Sequence, residues 1–134
     1  MLRAAATKTS QLVFTCFLAV SVVTGPTLVH ARGPQPADQF ATIAVTQLPD
    51  QGRETYRQIH IGGPFSYDKD GSVFGNRERL LPAKARGHYR EYTVRTPGSR
   101  DRGARRIVCG GAPRTPDVCY YTSDHYASFR RIIE

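Results

Sequence analysis

The chain has 134 residues, a length that fits one domain. Its formal net charge is +8 and its sequence pI is about 9.9. No internal repeat or second domain is visible. A basic balance suggests a polyanionic partner, although charge alone equally fits mere solubility.

Residues 1–31 read as a secretory signal peptide. Arg3 and Lys8 form a basic n-region, and Leu12 to Val23 is an apolar run of twelve. Such a run is too short to span a bilayer easily. Gly25-Pro26 follows, and Val29-His30-Ala31 supplies the cleavage signal, with the cut after Ala31. The alternative is an uncleaved membrane anchor, against which the short run and the cleavage signal both speak. Cys16 has no lipobox around it. The expected mature chain, 32–134, has 103 residues, 17 Lys and Arg against 11 Asp and Glu, and a charge of +6. It is expected to be extracellular and free of the membrane. Without Cys16, two of the three cysteines remain, Cys109 and Cys119. An even pair in an exported chain implies a disulfide, and both sit at facing ends of an expected hairpin. The alternative is two buried thiols.

Residues 32–41 are rich in Pro and polar side chains and are expected to be a flexible leader. Ala41 to Val45 is a candidate edge strand. Asp50 is expected to cap a helix over DQGRETYRQIHI, with Tyr56, Ile59 and His60 on one face. Gly62-Gly63-Pro64 ends it. This is the one good helix candidate, and its expected role is to cover one face of a sheet. Asp70-Gly71 marks a turn. Val73 to Pro82 mixes Gly, Asn and charges between apolar ends and reads as a structured loop. Its carboxylate, Glu78, stands between Arg77 and Arg79, so a surface ion pair is one reading.

From His88 the period is two. Tyr89, Glu91 and Thr93 point one way; Arg90, Tyr92 and Val94 point the other. Thr96-Pro97-Gly98 is a type II turn signature. In Arg105–Cys109, Arg106 and Val108 oppose Arg105, Ile107 and Cys109. With Tyr92, Val94, Ile107 and Cys109 buried against the helix, Glu91 and Arg106 share the opposite, open face. Gly110 to Val118 reads as a Gly/Pro loop. Cys119-Tyr120-Tyr121 begins a return strand, Ser123-Asp124 turns, and a last strand runs through Ala127, Phe129, Arg131 and Ile133. One main helix and about five short antiparallel strands make a small α+β domain over 42–134.

One carboxylate (Glu91), a cluster of arginines (Arg100, Arg102, Arg105, Arg106) and one histidine (His125) are carried by these strands. A base, an anion cradle and an acid are what in-line cleavage of a phosphodiester by a neighbouring hydroxyl needs. Singly, each residue has a plain alternative. A strand Glu near arginines is usually a structural ion pair, and a lone His is usually a surface residue.

Several separated blocks, in order, resemble the small secreted guanyl-specific microbial ribonucleases, the barnase-like group. They are GPFSYDKDGSVFGNRE, the REYTV, TPG and RRIVCG segments, and YYTSDHYASFRRI. The likeness covers roughly residues 42–133. It implies a helix on an antiparallel sheet and metal-independent, cofactor-free cleavage of single-stranded RNA after guanosine through a 2′,3′-cyclic phosphate. It implies Glu91 as general base, His125 as general acid, and Arg102 and Arg106 on the phosphate, with a bell-shaped pH profile. It implies a guanine site at Phe74, Gly75, Asn76, Arg77 and Glu78. There, backbone amides meet O6, Glu78 accepts from N1–H and N2–H₂, and Phe74 and Arg77 stack on the base. Tyr126 would line the phosphate or base pocket. Gly75 lacks a side chain that some of the family bring to the base. A monomer, and an acidic inhibitor of the barstar type, are also implied.

The competing class is a non-catalytic, secreted basic module that holds RNA or another polyanion. A two-histidine nuclease using His88 and His125 is a lesser alternative. A metal site from His60, His88 and Asp124 has no ligand spacing behind it.

Overall fold

A computed structural model describes residues 39–134 together with Pro36. The expected signal peptide, Cys16 included, lies outside the described residues, as does most of the expected leader. Among the described residues no helix is long and apolar enough to cross a membrane.

Among the described residues the sheet has six strands. They are β1 (Thr42–Ala44), β2 (Ser72–Val73), β3 (Tyr89–Thr93), β4 (Arg106–Ala112), β5 (Thr115–Thr122) and β6 (Arg130–Ile133). Their spatial order is β1-β6-β5-β4-β3-β2. The helix α1 (Asp50–Ile61) packs on it, preceded by a 3₁₀ turn at Val45–Gln47. The α+β class stands as expected. The strand count and the all-antiparallel pairing do not. β1 runs parallel to β6, with Ile43 beside Ile132, so the sheet is mixed. A three-residue strand ahead of the helix carries too little pattern to show which neighbour it takes. The packed chain also starts earlier than residue 42. Phe40 is buried, its ring 4.9 Å from that of Tyr120.

The helix has the expected span but not the expected start. Pro49 occupies the cap position without a side-chain bond, and Asp50 lies inside the first turn, paired with Arg53. Gly62, at φ 88, closes the helix by donating its N–H to Gln58 O at 2.9 Å. Thr55 Oγ1 donates to Thr93 O at 3.1 Å and ties the helix to β3. Ile59 is fully buried against Tyr92, Val94, Ile107, Cys109, Cys119 and Tyr121, the helix-facing side of the sheet. Tyr92, Val94, Ile107 and Cys109 are the positions that the period-two reading buries; Cys119 and Tyr121 join them from β5.

The opposite face is not open along its whole length. Tyr89, Val108, Tyr120, Phe129, Leu81 and Phe40 form a second core there. Loop residues cover what the strands alone would leave bare. Glu91 lies directly opposite Val108, so the site opens at the margin of an apolar layer.

Two turns fix how the site's elements meet. At Thr96-Pro97-Gly98 the expected type II turn forms, with Ser99 N–H donating to Thr96 O at 3.1 Å. The expected hairpin forms, but Gly110 to Val118 is not the expected Gly/Pro loop: most of it is paired. β4 and β5 stay paired to Ala112 and Thr115, with a bulge at Gly110/Gly111. Gly111 adopts φ 105, and a Cβ there would meet Asp117 N at 2.8 Å, so only glycine fits. The bulge keeps the ladder going through a stretch whose glycines and prolines read as loop. Cys109 and Cys119 face each other across the hairpin and are disulfide-bonded. The last strand is shorter than expected, since 123–129 is a loop and pairing begins at Arg130.

Candidate active site

A cleft of about 510 Å³ opens on the second face. Phe74, Gly75, Asn76, Arg77 and Glu78 form one part of its wall, and Glu91, Arg102, His125 and Tyr126 form another. The carboxylate of residue 91 and the ring of residue 125, far apart in sequence, therefore share one cavity.

Glu91 is held from both sides. Arg102 Nη2 donates to its Oε1 at 3.2 Å, and the Tyr126 hydroxyl donates to its Oε2. Only 14% of the Glu91 side chain and 28% of the Arg102 side chain is exposed, so the pair interacts with little solvent between. Arg102 Nε donates to Thr93 Oγ1 at 3.0 Å, which fixes the guanidinium plane. The plain reading of Glu91 as a partner in an ion pair is thus true of the unliganded site. The pair lines a cavity, however, rather than sealing a surface.

The loop that carries Arg102 is folded by local bonds. Asp101 Oδ1 accepts from Ser99 Oγ and from Gly103 N–H, both at 2.7 Å. The Ser99 hydroxyl, then the Gly103 amide, hold the Asp101 carboxyl below its ordinary range. Gly103 has φ 62, and a Cβ there would come within 2.4 Å of Thr96 Oγ1. Any larger residue would push the arginine loop away from the turn beneath it.

Arg106 is 3% exposed. Its Nη1 donates to the carbonyls of Arg102, Gly103 and Arg105, and its Cζ lies 5.9 Å from the Tyr126 ring centre. Among the described residues its Nε has no partner. A buried guanidinium with an unused donor is costly unless an anion completes it. Arg106 is near the cleft through Tyr126 but does not line it. Arg100 and Arg105, part of the cluster noted in the sequence, do not line it either.

His125 is exposed, with backbone φ 54, and its N–H donates to Ala104 O at 3.0 Å. Tyr126 follows at φ 70. Two successive non-glycine residues in the left-handed region need external support. Thr122 and Asp124 give it. Thr122 Oγ1 accepts from Tyr126 N–H at 3.2 Å and donates to Asp124 Oδ1 at 2.8 Å. Asp124 also accepts from Ser128 N–H at 2.9 Å and from Ser128 Oγ at 2.5 Å. The Ser128 hydroxyl bond is the main cause that lowers the Asp124 pKa. Burial first, then the bond to Glu91, pushes the Tyr126 phenol up to about 12, so it remains a neutral donor.

In the 74–78 loop, Asn76 has φ 48. Its amide bridges Leu81, donating to O at 2.9 Å and accepting from N–H at 3.1 Å. The side chain thus shapes the loop, leaving backbone to meet a ligand. Phe74 is half-buried and stacks on Tyr126 with ring centres 5.0 Å apart and planes at 29°. One face of that ring is therefore already covered. Glu78 is exposed, and among the described residues it pairs with neither Arg77 nor Arg79.

The sequence did not single out Lys69, Ser72, Leu80, Ala127 and Phe129 as cleft residues, nor Thr93, Thr122 and Ser128 as supports. Their side-chain types carry no chemical signal, and only tertiary contact brings them in. Among the described residues no group of three or more His, Cys, Asp or Glu is placed to hold a metal ion.

Residues 32–133 match the family profile described as ribonuclease. The chain is 54% identical over 90 residues to the guanyl-specific ribonuclease Sa3 of Kitasatospora aureofaciens, covering 67% of this chain and 62% of that protein. The chain therefore spans about three fifths of that relative's length. It is 48% identical over 94 residues to the guanyl-specific ribonuclease St of Saccharopolyspora erythraea, covering 70% of this chain and 89% of that one. Its fold is similar to a crystal structure of ribonuclease Sa2 with guanosine-2′-cyclophosphate. The TM-score is 0.64 and the identity 46%, over 70% of this chain and 96% of that one.

Proposed function

The chain belongs to the ribonuclease family, and from that premise we propose that it is an endoribonuclease that cuts single-stranded RNA after guanosine. One observation carries the assignment of roles: the loop 74–78 and the group Glu91, Arg102, His125 and Tyr126 line the same cleft. A base and the phosphate attached to its own ribose have to be held that close together.

Glu91 takes the proton from the ribose 2′-OH, and the oxygen attacks the adjacent phosphorus. His125 gives a proton to the departing 5′-oxygen. The bond to the next nucleotide breaks and a 2′,3′-cyclic phosphate is left. The nucleophile comes from the RNA, so no serine or cysteine is required. Arg102, and Arg106 with its unused Nε donor, oppose the charge that grows on the phosphoryl oxygens. The Tyr126 hydroxyl, bonded to Glu91 in the free protein, is released to the phosphate when substrate enters. In the second step His125 removes a proton from water, Glu91 returns one to the 2′-oxygen, and the ring opens to the 3′-phosphate.

Glu78 accepts from guanine N1–H and N2–H₂. Adenine lacks that pair of donors, so it would leave the carboxylate unpaired. Gly75 leaves this part of the loop without a side chain for the base. A Cβ there would meet only the Arg77 side chain at 3.6 Å, so the loop does not demand glycine. Export through residues 1–31, a monomeric mature form and an acidic inhibitor against Arg102, Arg106 and His125 belong to the same reading.

The decisive variant is Glu91→Gln, assayed on GpC for turnover and on 3′-GMP for binding. The expected result is a kcat lowered by about 10²–10⁴-fold with 3′-GMP affinity kept. Unchanged turnover removes Glu91 as base. RNA binding without any turnover in the wild type favours the non-catalytic module.

A further inference from the structure

A second groove, of about 570 Å³, adjoins the cleft. Val73, Phe74, Gly75, Asn76 and Arg77 line both. The opposite wall of the groove is Lys84, Ala85, Arg86 and Gly87, and Tyr89 lines it as well. None of Glu91, Arg102, His125 or Tyr126 lines this groove. It is therefore the outer side of the guanine loop, separated from the base only by that strand of chain.

Its charge is one-sided. Arg77, Lys84 and Arg86 line it and no Asp or Glu does. All three side chains are exposed, and among the described residues none is in an ion pair. The cleft next to it mixes signs, with Glu78 and Glu91 among its cations. A cationic groove without carboxylates, continuous with a nucleobase loop, suits a strongly charged group on the same ligand. On RNA that group is a backbone phosphate, which positions a strand without reading its sequence.

We propose that this groove is an auxiliary phosphate subsite, in which Lys84 and Arg86 hold a backbone phosphate other than the one that is cut. The proposal rests on the RNA-cleaving reading above. The phosphate lies either on the 5′ side of the guanosine or one nucleotide further on the 3′ side; the chemistry is the same. Lys84 and Arg86 do not enter the cleft, so the minimal substrate GpC does not use them.

The test is steady-state cleavage of GpC, pGpC and GpCpC by the wild type and by the double variant Lys84→Gln/Arg86→Gln. Both sites are exposed, so folding is not at risk, and a thermal melt confirms it. GpC is expected to be cut with unchanged kcat/KM. The extended substrate that reaches the groove is expected to lose about three- to tenfold in kcat/KM. Its logarithmic salt slope should fall by about 0.7 for each phosphate that the variant no longer holds. A loss confined to pGpC locates the phosphate on the 5′ side, and a loss confined to GpCpC locates it on the 3′ side. Equal rates for variant and wild type on all three substrates overturn the proposal. So does an equal loss on all three, because the effect would then lie in the cleft. A wild type that cleaves none of them overturns the ribonuclease reading instead.

Discussion

A carboxylate that is to recognise guanine has to stand clear of the protein's own cations. Glu78 does so between two arginines that its neighbours in sequence make look like partners. Glu78→Gln replaces an ionised acceptor by an amide that presents donors to guanine's donors. The expected loss is about 10²-fold in kcat/KM on GpC, the scale of one hydrogen bond to a charged group. ApC cleavage stays near its wild-type rate. A variant that keeps its GpC/ApC ratio would show that the base is read elsewhere. At this scale the roles proposed for Glu91 and His125 rest on the family likeness of the blocks around them. That Glu91 and Arg106 share a face was legible without it, from the period of two. Asn76, which lines the cleft, was legible as part of the loop but not for its task. Nothing in the sequence tells that its amide is used up in bridging Leu81.

The element that presents His125 and Tyr126 is the loop between β5 and β6, and Asp124 is its anchor. Of its two residues at positive φ, Tyr126 is held by Thr122 Oγ1, itself bonded to Asp124, and His125 by Ala104 O. Asp124→Asn sets an amide donor against the Ser128 donors and should loosen the loop. The expectation is a kcat reduced about tenfold or more, since small misplacements of reacting groups cost heavily. The Asp124 carboxyl is held below its ordinary 3.8, first by the Ser128 hydroxyl. Its stabilising effect is therefore present above that ordinary value and is lost as pH falls through the folded value. Thermal melts against pH should show the wild type and Asp124→Asn converging in acid. A gap that persists or widens there would remove the carboxylate from the account. From sequence Ser123-Asp124 of this loop read as a turn and Ala127 onward as strand, because its bonds are short-range polar contacts that any Ser/Thr/Asp-rich segment can make. The expected hairpin β4–β5 hid its inner, paired part for a different reason. Its glycines and prolines signal a loop, yet a bulge at Gly111 absorbs them. The pairing of Cys109 with Cys119, by contrast, followed from counting cysteines once Cys16 was set aside.

At the scale of the whole molecule, two apolar layers clamp the sheet, and tyrosines fill much of both. Six of the seven tyrosines have raised pKa values, burial being the first cause in each, and Tyr89 and Tyr126 are pushed up to about 12. Unfolded, they ionise near their ordinary 10.0. Between pH 10 and 12 the folded chain thus binds more protons than the unfolded one, and stability falls as pH rises. Urea midpoints should drop steadily above pH 10; a flat profile to pH 12 would contradict the buried placement. The helix-side core was legible from alternation alone. The second core was not, since it is closed by Phe40, Leu81 and Phe129, which come from loops and from the edge of the expected leader. That second layer leaves Glu91 at its rim and so makes the cleft. Digestion of a mixed-sequence RNA by the 32–134 fragment in EDTA, with every new 3′ end mapped, decides whether the cleft cuts RNA after guanosine. Guanosine ends that carry a 2′,3′-cyclic phosphate, before any 3′-phosphate accumulates, are the expected products. Ends spread over all four nucleosides, or no cleavage until a divalent metal is restored, would contradict the proposed reaction.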